Sequence, residues 1–133
     1  MTQHTDPFRS KLKNARGLGS AKSGAHHWIA ERVSAIALLL LTVWLVYFLS
    51  EVVKTGGGYD YVRALLQQPL HAIGAILFIC TAIYHGTLGS QVVFEDYIHT
   101  EWMKHVAILK SRFFGVVLAL ASTFSNLSIY VNG

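Results

Sequence analysis

Between Ala64 and Phe94 the chain reads ALLQQPLHAIGAILFICTAIYHGTLGSQVVF, a run without a single Lys, Arg, Asp or Glu. Crossing ~30 Å of hydrocarbon takes ~20 residues of helix, because every backbone N–H and C=O must be paired within the segment where no water reaches. Pro69 suits the first turn of such a helix, where its missing N–H costs nothing. Two further charge-free runs, Val33–Ser50 and Phe113–Val131, are long enough to span with modest extension at their ends. The expected fold is therefore all-α and integral to a membrane. It is a bundle of three transmembrane helices, at about 27–52, 69–94 and 106–131, in one domain that begins with a basic arm over residues 1–26.

Composition points the same way. Of 133 residues, 53% are hydrophobic and 14% charged, where soluble domains carry about 25% charge. The length allows one domain. Eleven Lys and Arg against seven acids leave a net charge of +4. In a membrane chain that excess marks cytoplasm-facing loops, not nucleic-acid binding. Six basic residues lie up to Arg32, and Lys104, Lys110 and Arg112 sit in the charged, His-rich connection Glu95–Arg112. The Gly-rich loop Glu51–Gln68 has only Lys54 and Arg63. Nine basic residues against two put the N-terminus and the second connection in the cytoplasm and the C-terminus across the membrane. Arg9, Lys11, Lys13, Arg16 and Lys22 precede the first span without the apolar core of a secretory signal, so all three helices are expected to stay. The single cysteine, Cys80, has no intrachain partner and reads as a small packing residue.

Ionisable groups inside a bilayer are costly, so each is a candidate for function. His71 falls in the first turn of the second span, at an interface where histidine is cheap. His85 lies about two-thirds along, with nine uncharged residues between it and the first charge, Glu95. Small residues surround it in sequence: Gly86, Gly89, and on the same helix Gly74 and Ala82. They leave room for a flat macrocycle or for a close helix. Three readings stay open on the residues alone. His85 ligates haem iron, or hydrogen-bonds a neighbouring helix in a purely structural bundle, or relays protons in a small transporter or channel. The Thr123, Ser125, Asn126 and Ser128 cluster on the third span would suit the last and equally suits interhelical bonding. No second histidine lies at comparable depth, so a haem held by two histidines needs a partner chain.

At 100° per residue, His85, Gly89, Val92 and Asp96 share one helix face, with Tyr97 at its edge and Asp96 about 16 Å along the axis from His85. Taken singly, an interfacial Tyr is part of an aromatic belt and a terminal Asp is solvated. The first span opens Gly24-x-His26-His27-Trp28-x3-Arg32-x-Ser34-Ala35-Ile36. Arg32 there can snorkel to the interface, and spacing alone favours simple anchoring over any ligand role.

Together, the segment Ser20–Trp28 and the element His85-x3-Gly89-x6-Asp96-Tyr97 resemble the D-type hydrophobic membrane-anchor subunits of succinate dehydrogenase (succinate:quinone oxidoreductase, respiratory complex II). Alphaproteobacterial and rickettsial members look most alike, and the likeness runs over nearly the whole chain. The resemblance implies that His85 is an axial ligand to the iron of haem b, with the second ligand supplied by a companion C-type cytochrome b anchor subunit. It implies that Tyr97 hydrogen-bonds a ubiquinone carbonyl with Asp96 beside it, that His26 lies near a haem propionate, and that Arg32 lies close to the haem and quinone. It assigns nothing to His27, Glu95 or His99. It implies partners in an iron–sulfur subunit and a flavoprotein subunit that carries the dehydrogenase active site, and a place in the tricarboxylic acid cycle and the respiratory chain. The expected location is a bacterial inner membrane, in preference to a mitochondrial one.

Overall fold

The computed structural model describes residues 22–132. Residues 1–21 of the expected basic arm, with Arg9, Lys11, Lys13 and Arg16 and the start of the Ser20–Trp28 segment, lie outside the described residues, and residues 22–26 are already helical. Three long helices and one short one follow in order: α1 (Lys22–Lys54), α2 (Tyr59–Leu66), α3 (Pro69–Tyr97) and α4 (Glu101–Val131). Three of them are long and apolar enough to cross a membrane: Gly24–Lys54, Pro69–Tyr97 and Glu101–Val131. Even the shortest, at 29 residues, extends about 44 Å at 1.5 Å per residue, well past the ~30 Å of hydrocarbon. The charged ends therefore project from the apolar layer as helix.

That overrun changes the second connection. The sequence suggests a long charged loop over Glu95–Arg112, but α3 continues to Tyr97 and α4 begins at Glu101. Only residues 98–100 join them. No Gly or Pro lies in the segment on either side of that short break. Thr100 stands at the N-cap position in an extended conformation, and Glu101 meets the positive end of the α4 dipole. The first connection differs too. Gly56 and Gly57 adopt φ of 84° and 71°, which turns the chain out of α1. The following YDYVRALL folds as α2, with Asp60 in its first turn and Arg63 in its last. Leu65 is buried against the neighbouring helices, and an Arg63 nitrogen donates to the backbone carbonyl of Asn132 at 3.1 Å, tying α2 to the end of α4.

α3 is the middle helix. It packs along α1 on one side and α4 on the other, while α1 and α4 scarcely touch. The α1–α3 seam is closed near Pro69 by aromatic packing. Trp44 and Phe48 stack at 5.6 Å, and His71 tilts against Phe48 at 5.5 Å. A Cβ on Gly74 would run into the Trp44 indole, so glycine there sets the approach of the helices. On the other seam Gly115 plays the same part, since a Cβ would fall 2.7 Å from the Thr87 methyl and 3.2 Å from Ile83.

The row of helices buries few large side chains. Phe48, Leu65 and Ala72 are the buried apolar residues, while Leu39, Leu40, Val43, Leu109, Phe113 and Phe124 stand exposed. A water-soluble domain does not leave so much large apolar surface uncovered. Lipid or other apolar surface is the medium it suits.

Candidate functional site

Where α1 begins, α3 ends, because the two run antiparallel. Gly24, His27, Trp28 and Glu31 of α1 face Gln91 and Glu95 of α3 across a cleft of about 340 Å³. His26, Arg32, His85, Asp96 and Tyr97, to which the resemblance gives roles, belong to this half of the molecule, whereas His71 and Asn126 lie toward the Pro69 end.

His85 is half-buried on α3. Its Nδ1 lies 2.9 Å from Oγ of Ser34 on α1, and Ser34 is only 5% exposed. This is the interhelical bond among the described residues that joins α1 to α3. The Ser34 hydroxyl also contacts the backbone carbonyl of Glu31, one turn back, at 3.0 Å. Ile83 and Thr87, each about 200° round the helix from His85, meet α4 at Gly115 instead. The imidazole thus lies on the α1 side. Beside it the surface is open: a Cβ on Gly86 or Gly89 would meet nothing within 4 Å. Gly74, grouped with these glycines by sequence, does a different job, since Trp44 occupies its space. The glycines near His85 leave room, and Gly74 uses it.

Asp96 and Tyr97 end α3 and are exposed, with Tyr97 at 78%. Glu95 is tied down. Arg112 of α4 donates to the Gln91 carbonyl oxygen at 2.6 Å, and the Gln91 amide donates to Glu95 at 2.7 Å. This chain of side chains laces the ends of α3 and α4 together and gives Glu95 a structural task that the sequence had not suggested. On α1, His26 is exposed and His27 half-buried, its Nε2 buried in the cleft without a hydrogen-bond partner among the described residues. Arg32 projects about 200° round the helix from Ser34, exposed, its guanidinium stacked 5.4 Å above the Trp28 ring. Among the described residues no hydrogen bond joins His26 or Arg32 to His85, Asp96 or Tyr97.

Ser34 stands in the opening of the first span, where the sequence gives it no role. The available signal was its position, a hydroxyl seven residues after His27 and so on the same helix face. Elsewhere, Cys80 lies 3.6 Å from the Thr123 hydroxyl across the α3–α4 seam, and Asn126 is buried at the same seam.

Among the described residues, no group of three or more His, Cys, Asp or Glu side chains could hold a metal ion. His85 is a single candidate ligand with open surface beside it. That arrangement leaves room for a planar group against α3, and among the described residues no further side chains join His85 to enclose a metal ion.

Comparison with known proteins gives a consistent picture. The family described as succinate dehydrogenase/fumarate reductase transmembrane subunit matches residues 6–119. The chain is 34% identical over 117 residues to a succinate dehydrogenase hydrophobic membrane anchor subunit of Rickettsia bellii, covering 88% of this chain and 92% of the relative. It is 32% identical to the protein of that description from Rickettsia conorii, over 86% of this chain and 90% of the relative. The counterpart from Paracoccus denitrificans is also 32% identical, over 85% of both chains. No solved structure matches.

Proposed function

The chain belongs to the family of succinate dehydrogenase/fumarate reductase transmembrane subunits, and from that premise we propose that it anchors a succinate:quinone oxidoreductase in the membrane, contributes one axial ligand to haem b, and forms part of the site that reduces ubiquinone. The observation that carries this reading is His85. It stands within a membrane-spanning helix, one ring nitrogen taken up by Ser34, with open surface at Gly86 and Gly89.

His85 Nε2 would hold the iron, and a companion C-type anchor would supply the opposite ligand. Bound there, haem b supplies a one-electron carrier whose potential depends on its ligands and their hydrogen bonds. His26 and Arg32 bring nitrogen donors and positive charge to the same half of the molecule, suited to acidic propionates.

Reducing a quinone to a quinol consumes two electrons and two protons. The electrons would arrive from an iron–sulfur subunit, fed by the flavoprotein where succinate is oxidised. The protons must come from water, and Tyr97 and Asp96 end α3 on its solvent side. The Tyr97 phenol donates a hydrogen bond to a quinone carbonyl oxygen and holds the negative charge that develops on it during reduction. Asp96 orients that phenol or passes a proton to it from water. Tyr97 is so exposed in the isolated chain because other subunits would complete the pocket.

A second reading has a specific observation behind it: the Ser34–His85 bond is also what a purely structural interhelical contact looks like. Such bonds in membrane bundles contribute about 0.6 kcal/mol on average, so losing one leaves the bundle assembled. The absorbance spectrum of the purified complex separates the two. A reduced b-type α-band should be present in the parent and lost or strongly altered in His85→Ala. A complex that purifies without haem removes the ligand assignment. By the basic-residue count, a C-terminal reporter active only in the cytoplasm should be silent, and strong activity would reverse the orientation.

A further inference from the structure

The Ser34 hydroxyl has two neighbours and one proton. The Glu31 carbonyl oxygen, 3.0 Å away, can only accept, so it takes that proton. His85 Nδ1, 2.9 Å away on the other helix, must then bring its own hydrogen and donate to the Ser34 oxygen. A neutral imidazole carries one N–H, so placing it on Nδ1 leaves the Nε2 lone pair free. The opposite tautomer would put a proton on Nε2, where a ligand must have none, and would leave Ser34 one proton short for its two contacts.

We propose that Ser34 is the positioning residue that selects the Nδ1–H tautomer of His85, aims its Nε2 away from α1, and tunes its basicity as an iron ligand. The proposal rests on the reading of His85 as a haem ligand and deepens it. Ser34 does not touch the iron and acts only through the imidazole. Outer hydrogen bonds to a ligating histidine fix its tautomer and ring orientation and raise its basicity, and losing one costs about 10- to 100-fold in metal affinity. Greater basicity at Nε2 stabilises ferric over ferrous iron, so the Ser34 contact lowers the haem potential.

The environment makes the role specific. Ser50 makes the same one-turn-back bond, to the Tyr47 carbonyl at 2.7 Å, with no histidine bonded to it. Ala30, Val33, Ala37, Thr81 and Tyr84 line a cleft beside Ser34, which leaves room for one extra methyl group. Threonine should therefore keep the contact where alanine loses it.

The test uses the purified complex carrying this chain as the parent, Ser34→Ala, Ser34→Thr, Ser50→Ala or His85→Ala, each reported by haem per flavin, low-temperature electron paramagnetic resonance, and a redox titration of the α-band. Ser34→Ala should raise the haem midpoint potential, shift the ferric g-values, and weaken haem retention by about 10- to 100-fold. Ser34→Thr and Ser50→Ala should match the parent. Parent-like potential and g-values in Ser34→Ala, alongside loss of the α-band in His85→Ala, would overturn the role of Ser34 and leave the ligand standing. A parent-like spectrum in His85→Ala would overturn the ligand reading itself. Should Ser34→Ala fail to assemble, Ser34→Cys, nearly isosteric with a weaker acceptor, takes its place. An upward shift there supports the proposal and an unchanged potential sinks it.

Discussion

Two histidines, fourteen residues apart on α3, sit in opposite kinds of surroundings. His71 is 7% exposed, walled in by Trp44 and Phe48, with its Nδ1 lacking a hydrogen-bond partner among the described residues. His85 is only half-buried, yet its Nδ1 is bonded to Ser34. Burial alone would rank His71 first. The imidazole better suited to chemistry is the less buried one, because a ligand needs a fixed tautomer and free space beside it, and aromatic packing gives His71 no such space. Near Pro69 the α1–α3 seam is filled, whereas near Tyr97 it is polar and open on its flank.

The sharpest break of this contrast exchanges the two histidines' fates. His85→Ala should abolish or grossly alter the reduced α-band, while His71→Leu should keep the full haem content. Replacing a buried polar group that lacks a partner with an apolar one of similar size is close to neutral or stabilising, so the thermal midpoint of the detergent-solubilised His71→Leu complex should hold or rise. Loss of haem in His71→Leu with retention in His85→Ala would invert the assignment of the two ends.

A smaller effect is expected from the phenols. Tyr97 ends α3 at one face of the membrane, and Tyr59, equally exposed, begins α2 at the other. Removing a general acid costs about 100- to 10,000-fold in rate. Tyr97→Phe should therefore lower succinate-driven quinone reduction by at least about 100-fold while electron transfer to a soluble dye continues. Tyr59→Phe should change neither. Equal quinone rates in the two variants would take Tyr97 out of the site.

How much of this was legible in the sequence follows from what each feature depends on. The spans were legible because the length of a charge-free run is a property of the run itself. The reach of the helices was not, since a helix need not stop where the hydrocarbon does, and Glu95, Glu101 and Lys104 simply emerge on it. α2 was hidden between three glycines and Pro69, too short for its period to stand out. His85 was legible as a costly group at depth. Ser34 was not, because a hydroxyl in an apolar helix usually satisfies itself, as Thr42 does on the Leu38 carbonyl and Ser50 on that of Tyr47. Only the antiparallel register that pairs Phe48 with His71 brings Ser34 to His85. The proposed haem and quinone roles rest on the resemblance, and the open surface beside His85 supplies a chemical reason for the first of them.

The smallest effects belong to the glycines, and their signs carry the information. Alanine in a helix interior is worth about 1 kcal/mol more than glycine, so each Gly→Ala change starts with a gain. At Gly74 the new Cβ enters the Trp44 indole, and overpacking of that kind costs about 1–3 kcal/mol. The clash should win, and Gly74→Ala should lower the thermal midpoint of the complex whether or not haem is bound. At Gly89 the new Cβ meets nothing of this chain within 4 Å, so the propensity gain stands unopposed within the subunit. Any loss there must come from something seated against the helix from outside. Gly89→Leu should therefore reduce haem per flavin while this subunit still inserts in the membrane at parent levels. If Gly89→Leu kept full haem, the open surface beside His85 would face lipid, and the ligand would have to be reached from another side.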